Sequence, residues 1–130
     1  MRRRIWLLAA LALGLMLGWL EMPGAQDKPK KLNPYTGNPG PIAEGKTLFV
    51  QYNCSFCHGR LGSGDRQGPP LIDDVWKFGG DDATLMKLIR GEIKQSKHRN
   101  FSEDLEEDQI WRLLAYVRSL YKGDPSGIVW

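Results

Sequence analysis

Cysteine and histidine are scarce in this chain of 130 residues, which contains two cysteines, Cys54 and Cys57, and two histidines, His58 and His98. Two cysteines so close together cannot build the disulfide framework that stabilises many small secreted domains. The length leaves room for one small globular domain, and cores of that size are rarely stable by burial alone. We therefore expect a bound metal or cofactor to stabilise the domain.

A basic excess is also missing from the body of the chain. The formal charge is +3, but Arg2, Arg3 and Arg4 against Glu21 contribute +2 of it within the first 25 residues. Nucleic-acid-binding domains carry a strong basic excess, often interleaved with aromatic residues, and the rest of this sequence has neither. We expect no nucleic-acid partner.

Alternating apolar and polar residues, the pattern of a half-buried β-strand, do not extend over any stretch long enough for a sheet. Apolar residues at helical spacing occur instead in residues 42–52, 81–90 and 105–121. The second of these segments begins at a pair of aspartates, which suit a helix N-terminus, and ends before Gly91. The predicted fold is all-α, with long loops such as the glycine-rich segment 59–70.

The N-terminal 25 residues have the layout of an export signal. Three arginines precede residues 5–20, sixteen residues without a charge, which is short of the roughly 20 apolar residues that span a bilayer. The segment is predicted to be a cleaved signal peptide or, alternatively, an N-terminal membrane anchor, and both place the rest of the chain outside the cytoplasm. The proline-rich segment 26–41 is predicted to be a linker or a strap laid over the domain, and residues 42–130 to form that domain.

The segment Cys54-Ser55-Phe56-Cys57-His58 carries the most specific signal in the sequence. Two thiols three residues apart, followed directly by a histidine, form the attachment pattern of a c-type haem. Two thioether bonds to the porphyrin fix the ring against one turn of chain, which makes His58 an axial ligand of the iron. A zinc site would need four suitably spaced ligands, and a redox-active dithiol would need a strand before the motif and a helix after it. Both alternatives are disfavoured.

With these residues the chain resembles the small single-haem class I cytochromes c. Gly45 and Phe49 before the motif, and residues 113–117 (LLAYV) near the C-terminus, look like that family's crossed N- and C-terminal helices. In the family, a glycine at this position lets the two helices approach closely and aromatic side chains pack beside it. The resemblance therefore implies a cytochrome c fold, with these two helices, a short third helix and long loops around one covalent haem c and its iron.

The segment Gly68-Pro69-Pro70-Leu71 looks like the family's loop beside the haem. The resemblance implies that the carbonyl group of Pro69 accepts a hydrogen bond from the proximal imidazole of His58 and that Leu71 covers the haem. A hydrogen bond of this kind fixes the orientation of the imidazole and raises its donor strength.

A narrower likeness covers most of residues 33–126, through segments such as NPYTGNP, GPPLIDDVWKFGG and LYKGDPS. These segments resemble those of the periplasmic cytochromes that accept electrons from pyrroloquinoline-quinone (PQQ) alcohol dehydrogenases, methanol dehydrogenase included. This resemblance implies a periplasmic single-electron carrier that is not itself an enzyme. The implied partners are a PQQ-dependent alcohol dehydrogenase upstream and a cytochrome or oxidase downstream.

The chain departs from these relatives at the sixth ligand of the iron. They carry a Met-Pro-x-Phe loop ahead of the final helix, whereas this sequence has His98-Arg99-Asn100-Phe101, with His98 seven positions before the last predicted helix. We therefore predict that His98 takes the place of the methionine. Met86 is the second candidate, although its apolar neighbours favour a core position. Two imidazole ligands should make the haem more reducing than a Met/His pair would.

Two other functions are open on the sequence alone. A haem sensor or peroxidase-like protein would have a displaceable sixth ligand and would bind a small molecule at the iron. A domain whose lost methionine had ended its carrier role would serve as a structural partner.

Five basic residues lie near the predicted sixth ligand in the sequence: Lys87, Arg90, Lys94, Lys97 and Arg99. They would either attract an acidic redox partner or be ordinary solvated side chains.

Overall fold

The structure, a computed structural model, describes residues 32–124 and Ser126, so the predicted signal segment 1–25 and the first residues of the strap lie outside it. The described residues contain four α-helices: α1 Pro39–Gln51, α2 Cys54–His58, α3 Asp82–Ile89 and α4 Glu107–Ser119. They form no β-strand apart from one isolated bridge in the loop after α2. The prediction of an all-α fold with long loops is confirmed. None of the helices in this part of the chain is long and apolar enough to cross a membrane.

The helices α1 and α4 cross at a glycine. A Cβ atom built on Gly45 would collide with the carbonyl group of Arg112, 2.6 Å from its carbon, and would lie 3.0 Å from the Cβ of Tyr116. One turn further along α1, the buried ring of Phe49 packs edge-on against Tyr116, with ring centroids 5.3 Å apart. The crossing implied by the resemblance is confirmed.

Two helices begin at positions that differ from the prediction. α1 begins at Pro39, three residues before the predicted start, because a proline in the first helical turn loses no hydrogen bond and the side chain of Asn38 accepts one from Gly40. The predicted boundary between strap and domain at residue 42 therefore lies inside a helix. α4 begins at Glu107 rather than at Leu105, because Glu106 and Gln109 form a capping box there.

The two aspartates before α3 have different roles. The side chain of Asp81 caps the helix by accepting a hydrogen bond from the backbone N–H of Thr84 at 2.9 Å. Asp82 is buried and accepts hydrogen bonds from Arg118 on α4, the Nε bond at 2.9 Å, and from the backbone N–H of Asn33 at 2.9 Å. One carboxylate therefore ties together α3, α4 and the strap.

The described part of the predicted linker is packed onto the domain as a strap. Asn33 is buried, and its side-chain amide donates a hydrogen bond to the carbonyl oxygen of Trp111 in α4 at 2.7 Å. Tyr35 lies beside the same helix and donates its hydroxyl hydrogen to Asp108. Because both bonds join the strap to α4, residues 33–38 help to hold the C-terminal helix in place.

Candidate functional site

The short helix α2 carries the two cysteines and the first histidine. Cys54 and Cys57 are both partly buried and are not joined in a disulfide. Since residues three apart lie on the same face of a helix, α2 presents both sulfur atoms to one side. Burial raises the pKa of the Cys54 thiol above its usual value. His58 is the last residue of the helix.

The imidazole of His58 is oriented by the loop that follows it. Its Nδ1 lies 2.8 Å from the carbonyl oxygen of Pro69. A carbonyl oxygen can only accept, so Nδ1 carries the proton and Nε2 keeps a lone pair that can bind a metal. The hydrogen bond that the resemblance implied between these two residues is present.

Glycines bring this loop back against α2. A Cβ on Gly68 would lie 2.8 Å from the carbonyl oxygen of Cys57, so the close approach requires a glycine. Backbone bonds from Gly64 to the carbonyl of His58 at 2.8 Å and from Leu71 to the carbonyl of Gly62 at 2.7 Å close the loop. Leu71 is thereby buried in the hydrophobic core.

The second histidine lies opposite the first. The ring centroids of His58 and His98 are 6.2 Å apart, and the ring planes make an angle of 27°. Nδ1 of His98 lies 2.8 Å from the carbonyl oxygen of Arg99, which again leaves Nε2 with a free lone pair. Burial lowers the pKa of His98, while its hydrogen bond to Arg99 acts in the opposite direction and nearby His58 lowers it further.

The loop that carries His98 is fixed by several contacts. The hydroxyl oxygen of Ser96 accepts a hydrogen bond from the backbone N–H of His98 at 3.0 Å. The centroid of the buried Phe101 ring lies 5.8 Å from that of the His98 ring. The guanidinium carbon of Arg99 lies over the Phe101 ring, 4.7 Å from its centroid. Arg99 also forms an ion pair with Asp104 at 2.9 Å. His98 is therefore held in a defined position.

The arrangement of the two histidines fits an iron porphyrin. Two metal–nitrogen bonds of about 2.0 Å, with about 1 Å from each nitrogen to its ring centre, put the centres of two axial imidazoles about 6 Å apart. The separation of 6.2 Å between His58 and His98 agrees with this value. Met86, the second candidate for the sixth ligand, is buried among core residues of α3.

The five basic residues noted in the sequence do not form one uniform charged surface. Arg90 pairs with Glu92 at 2.9 Å, and Arg99 pairs with Asp104. Ion pairs partly neutralise these two cations. Three exposed lysines make no ion pair with the residues that the structure describes: Lys87, Lys94 and Lys97.

The family model for cytochrome c matches residues 42–121. The chain belongs to the cytochrome c family, whose members carry covalently bound haem c with its iron and act as electron carriers. The match confirms the family resemblance and the cofactor prediction.

Particular relatives fall into two groups. Cytochrome c-L of Methylorubrum extorquens is 31% identical over 100 residues, 75% of this chain and 49% of the relative. Subunit CcoP of the cbb3-type cytochrome c oxidase of Cereibacter sphaeroides is 36% identical over 84 residues, 63% of this chain and 28% of the relative. The chain thus spans about half or less of the length of these curated relatives.

Two solved structures share the fold. Cytochrome cL from the marine methylotroph Methylophaga aminisulfidivorans gives a TM-score of 0.63 at 33% identity, over 69% of this chain and 61% of that one. Cytochrome cL from Hyphomicrobium denitrificans gives 0.66 at 27% identity, over 81% and 66%. The chain is a cytochrome c similar to these proteins.

No pattern in the sequence predicts the buried cluster of Asn33, Asp82 and Arg118. Arg118 is a charged residue among the buried residues of α4, which is a weak sign of a buried ion pair. The position of Asp82 at the start of a helix suggests only a helix cap. Contacts between residues this far apart in the chain leave no periodic pattern, so sequence reasoning could not pair them.

Proposed function

We propose that this protein is a single-electron carrier in which Cys54 and Cys57 hold the haem and His58 is the proximal ligand of the iron. Each thiol S–H adds across one vinyl group of the porphyrin to form a thioether. The carbonyl of Pro69 fixes the His58 ring, and buried Leu71 lies next to this loop as apolar cover for the haem. The observation that carries the proposal is the joint placement of both thiols and an oriented imidazole on α2.

The bound haem supplies a reversible one-electron couple between ferric and ferrous iron. The protein keeps the surroundings of the iron constant while the charge of the iron changes. His98 is fixed by Ser96, Phe101 and its bond to the Arg99 carbonyl, so the distal side already contains a positioned side chain. A fixed distal side chain favours electron transfer over binding and conversion of a substrate at the iron.

The proposed donor is a PQQ-dependent alcohol dehydrogenase. The cytochrome c-L relatives and the resemblance in segments such as NPYTGNP support this choice. The similarity to oxidase subunits supports an oxidase or another cytochrome as the acceptor. The export signal predicted in residues 1–25 and the thioether attachment pattern, which is completed outside the cytoplasm, support a periplasmic location, with membrane attachment only if that segment is retained.

Reduction by the dehydrogenase of the same organism tests this proposal. We expect stopped-flow mixing to show haem reduction at a rate that falls as the ionic strength rises. Exposed Lys94 and Lys97 lie close in sequence to His98, on the loop that carries it, which we call the distal loop, and they attract an acidic partner. The double variant Lys94→Glu/Lys97→Glu should slow this step at least tenfold at low salt.

The matched control is Lys46→Glu/Lys122→Glu, which makes the same change in net charge at exposed lysines outside the distal loop. It should slow reduction much less. Equal effects of the two double variants, or a rate no faster than that of an unrelated cytochrome and independent of salt, would exclude specific pairing through this surface.

A further inference from the structure

We propose that His98 is the distal ligand of the haem iron, so that the iron has two imidazole ligands. The proposal rests on the proposed function, because it requires the haem to be attached at α2. It assigns the sixth ligand, which the attachment at α2 does not determine.

The two histidines make matching hydrogen bonds. Each imidazole donates its Nδ1 hydrogen to a backbone carbonyl at 2.8 Å, His58 to Pro69 and His98 to Arg99. Nε2 of each ring is therefore unprotonated and keeps its lone pair. Metal-binding histidines require this protonation state. The centroid separation of 6.2 Å leaves the space that one six-coordinate metal needs between two imidazoles.

His98 is partly buried and held in position by its neighbours. Its backbone is held by Ser96, and its ring lies against the buried ring of Phe101. The backbone N–H of Phe101 donates to the carbonyl of Ile89 at 2.9 Å, which attaches the loop to the end of α3. Gly91 permits this attachment, because a Cβ there would lie 2.7 Å from the Cβ of Asn100. These contacts hold the His98 side chain close to His58.

A methionine sulfur is the group that would compete with His98 for the iron. The chain has four methionines, and three of them, Met1, Met16 and Met22, lie in the predicted signal segment. The fourth, Met86, is buried in α3 and packs in the hydrophobic core. Its thioether is held there by packing against other core side chains, whereas the ring centroid of His98 lies 6.2 Å from that of His58.

Optical and electron paramagnetic resonance spectra of the purified haem protein test the assignment. We expect a low-spin haem without the red-edge charge-transfer band that sulfur ligation to ferric iron produces. His98→Met should create that band and raise the reduction potential, because a thioether favours ferrous iron relative to imidazole. His98→Ala should give high-spin iron, and added imidazole should restore the low-spin spectrum.

Met86→Leu is the matched control, since it removes the competing sulfur with little change in side-chain volume. It should leave the wild-type spectrum unchanged. A sulfur band in the wild-type protein, or a low-spin spectrum of His98→Ala that needs no added imidazole, would overturn the assignment. Haem staining of the denatured protein separates the two proposals: covalent haem with a sulfur band refutes only the His98 ligand, whereas absence of covalent haem refutes the proposed function.

Discussion

Replacing both Cys54 and Cys57 by alanine is expected to yield a polypeptide without bound haem and without a cooperative unfolding transition. The described residues have one hydrophobic core, built around the crossing of α1 and α4, and a core of this size is close to the limit of independent stability. When a cofactor binds only the folded state, its binding free energy adds to the stability of that state. Without thioether bonds this contribution is lost.

The measurement combines haem staining after denaturing electrophoresis with far-ultraviolet circular dichroism during a urea titration. Ser55→Ala is the matched control, because it changes a residue of the same short helix and leaves both thiols in place. It should keep its covalent haem and its unfolding transition. If acid–acetone extracts the haem from the wild-type protein, the proposed attachment is refuted. If the double cysteine variant folds cooperatively without haem, the expected dependence of folding on the cofactor is refuted.

The second large effect is expected at the helix crossing. Gly45→Ala should lower the free energy of unfolding by about 3 kcal/mol, near the upper end of the usual cost of overpacking, because the added Cβ meets the rigid backbone carbonyl of Arg112 rather than a flexible side chain. The two helices can accommodate the methyl group only by moving apart, which loosens the contact between Phe49 and Tyr116. Urea unfolding of the haem-loaded variant measures the loss.

Gly40→Ala provides the comparison within the same helix. The nearest atom to a Cβ at Gly40 is the side-chain oxygen of Asn38 at 3.8 Å, an ordinary contact distance. Alanine there reduces the conformational entropy of the unfolded chain, so this variant should be as stable as the wild type or more stable by about 0.5 kcal/mol. Similar losses for the two variants would show that the crossing does not depend on close approach at Gly45.

Local signals explain what the sequence could predict about the fold. The amphipathic pattern of 105–121 located α4, and the resemblance located the glycine contact at Gly45. The start of α1 was placed too late because its prolines look like linker residues, although Pro39 fits the first turn of a helix. The strap contacts join Asn33 to Asp82 and Trp111, far away in the chain, and no local pattern encodes them.

The candidate site also contains a part that the sequence predicts and a part that it does not. The two thiols and His58 come from five consecutive residues, so their placement on one turn of helix follows from spacing alone. The resemblance assigns Pro69 and Leu71, and the observed bond between His58 and the carbonyl of Pro69 agrees with the first of these two assignments. The distance between His58 and His98 depends on how two loops fold, and only a three-dimensional structure can provide it.

We propose that this protein carries single electrons and does not bind substrates at its iron. A spectroelectrochemical titration of the purified haem protein, repeated under carbon monoxide, distinguishes an electron carrier from a ligand-binding haem protein. We predict one reversible transition that follows a one-electron Nernst curve, a low-spin haem in both oxidation states, and the same ferrous spectrum with and without carbon monoxide. A five-coordinate ferrous haem that binds carbon monoxide and shifts the titration would contradict the claim and would indicate a sensor or peroxidase-like protein.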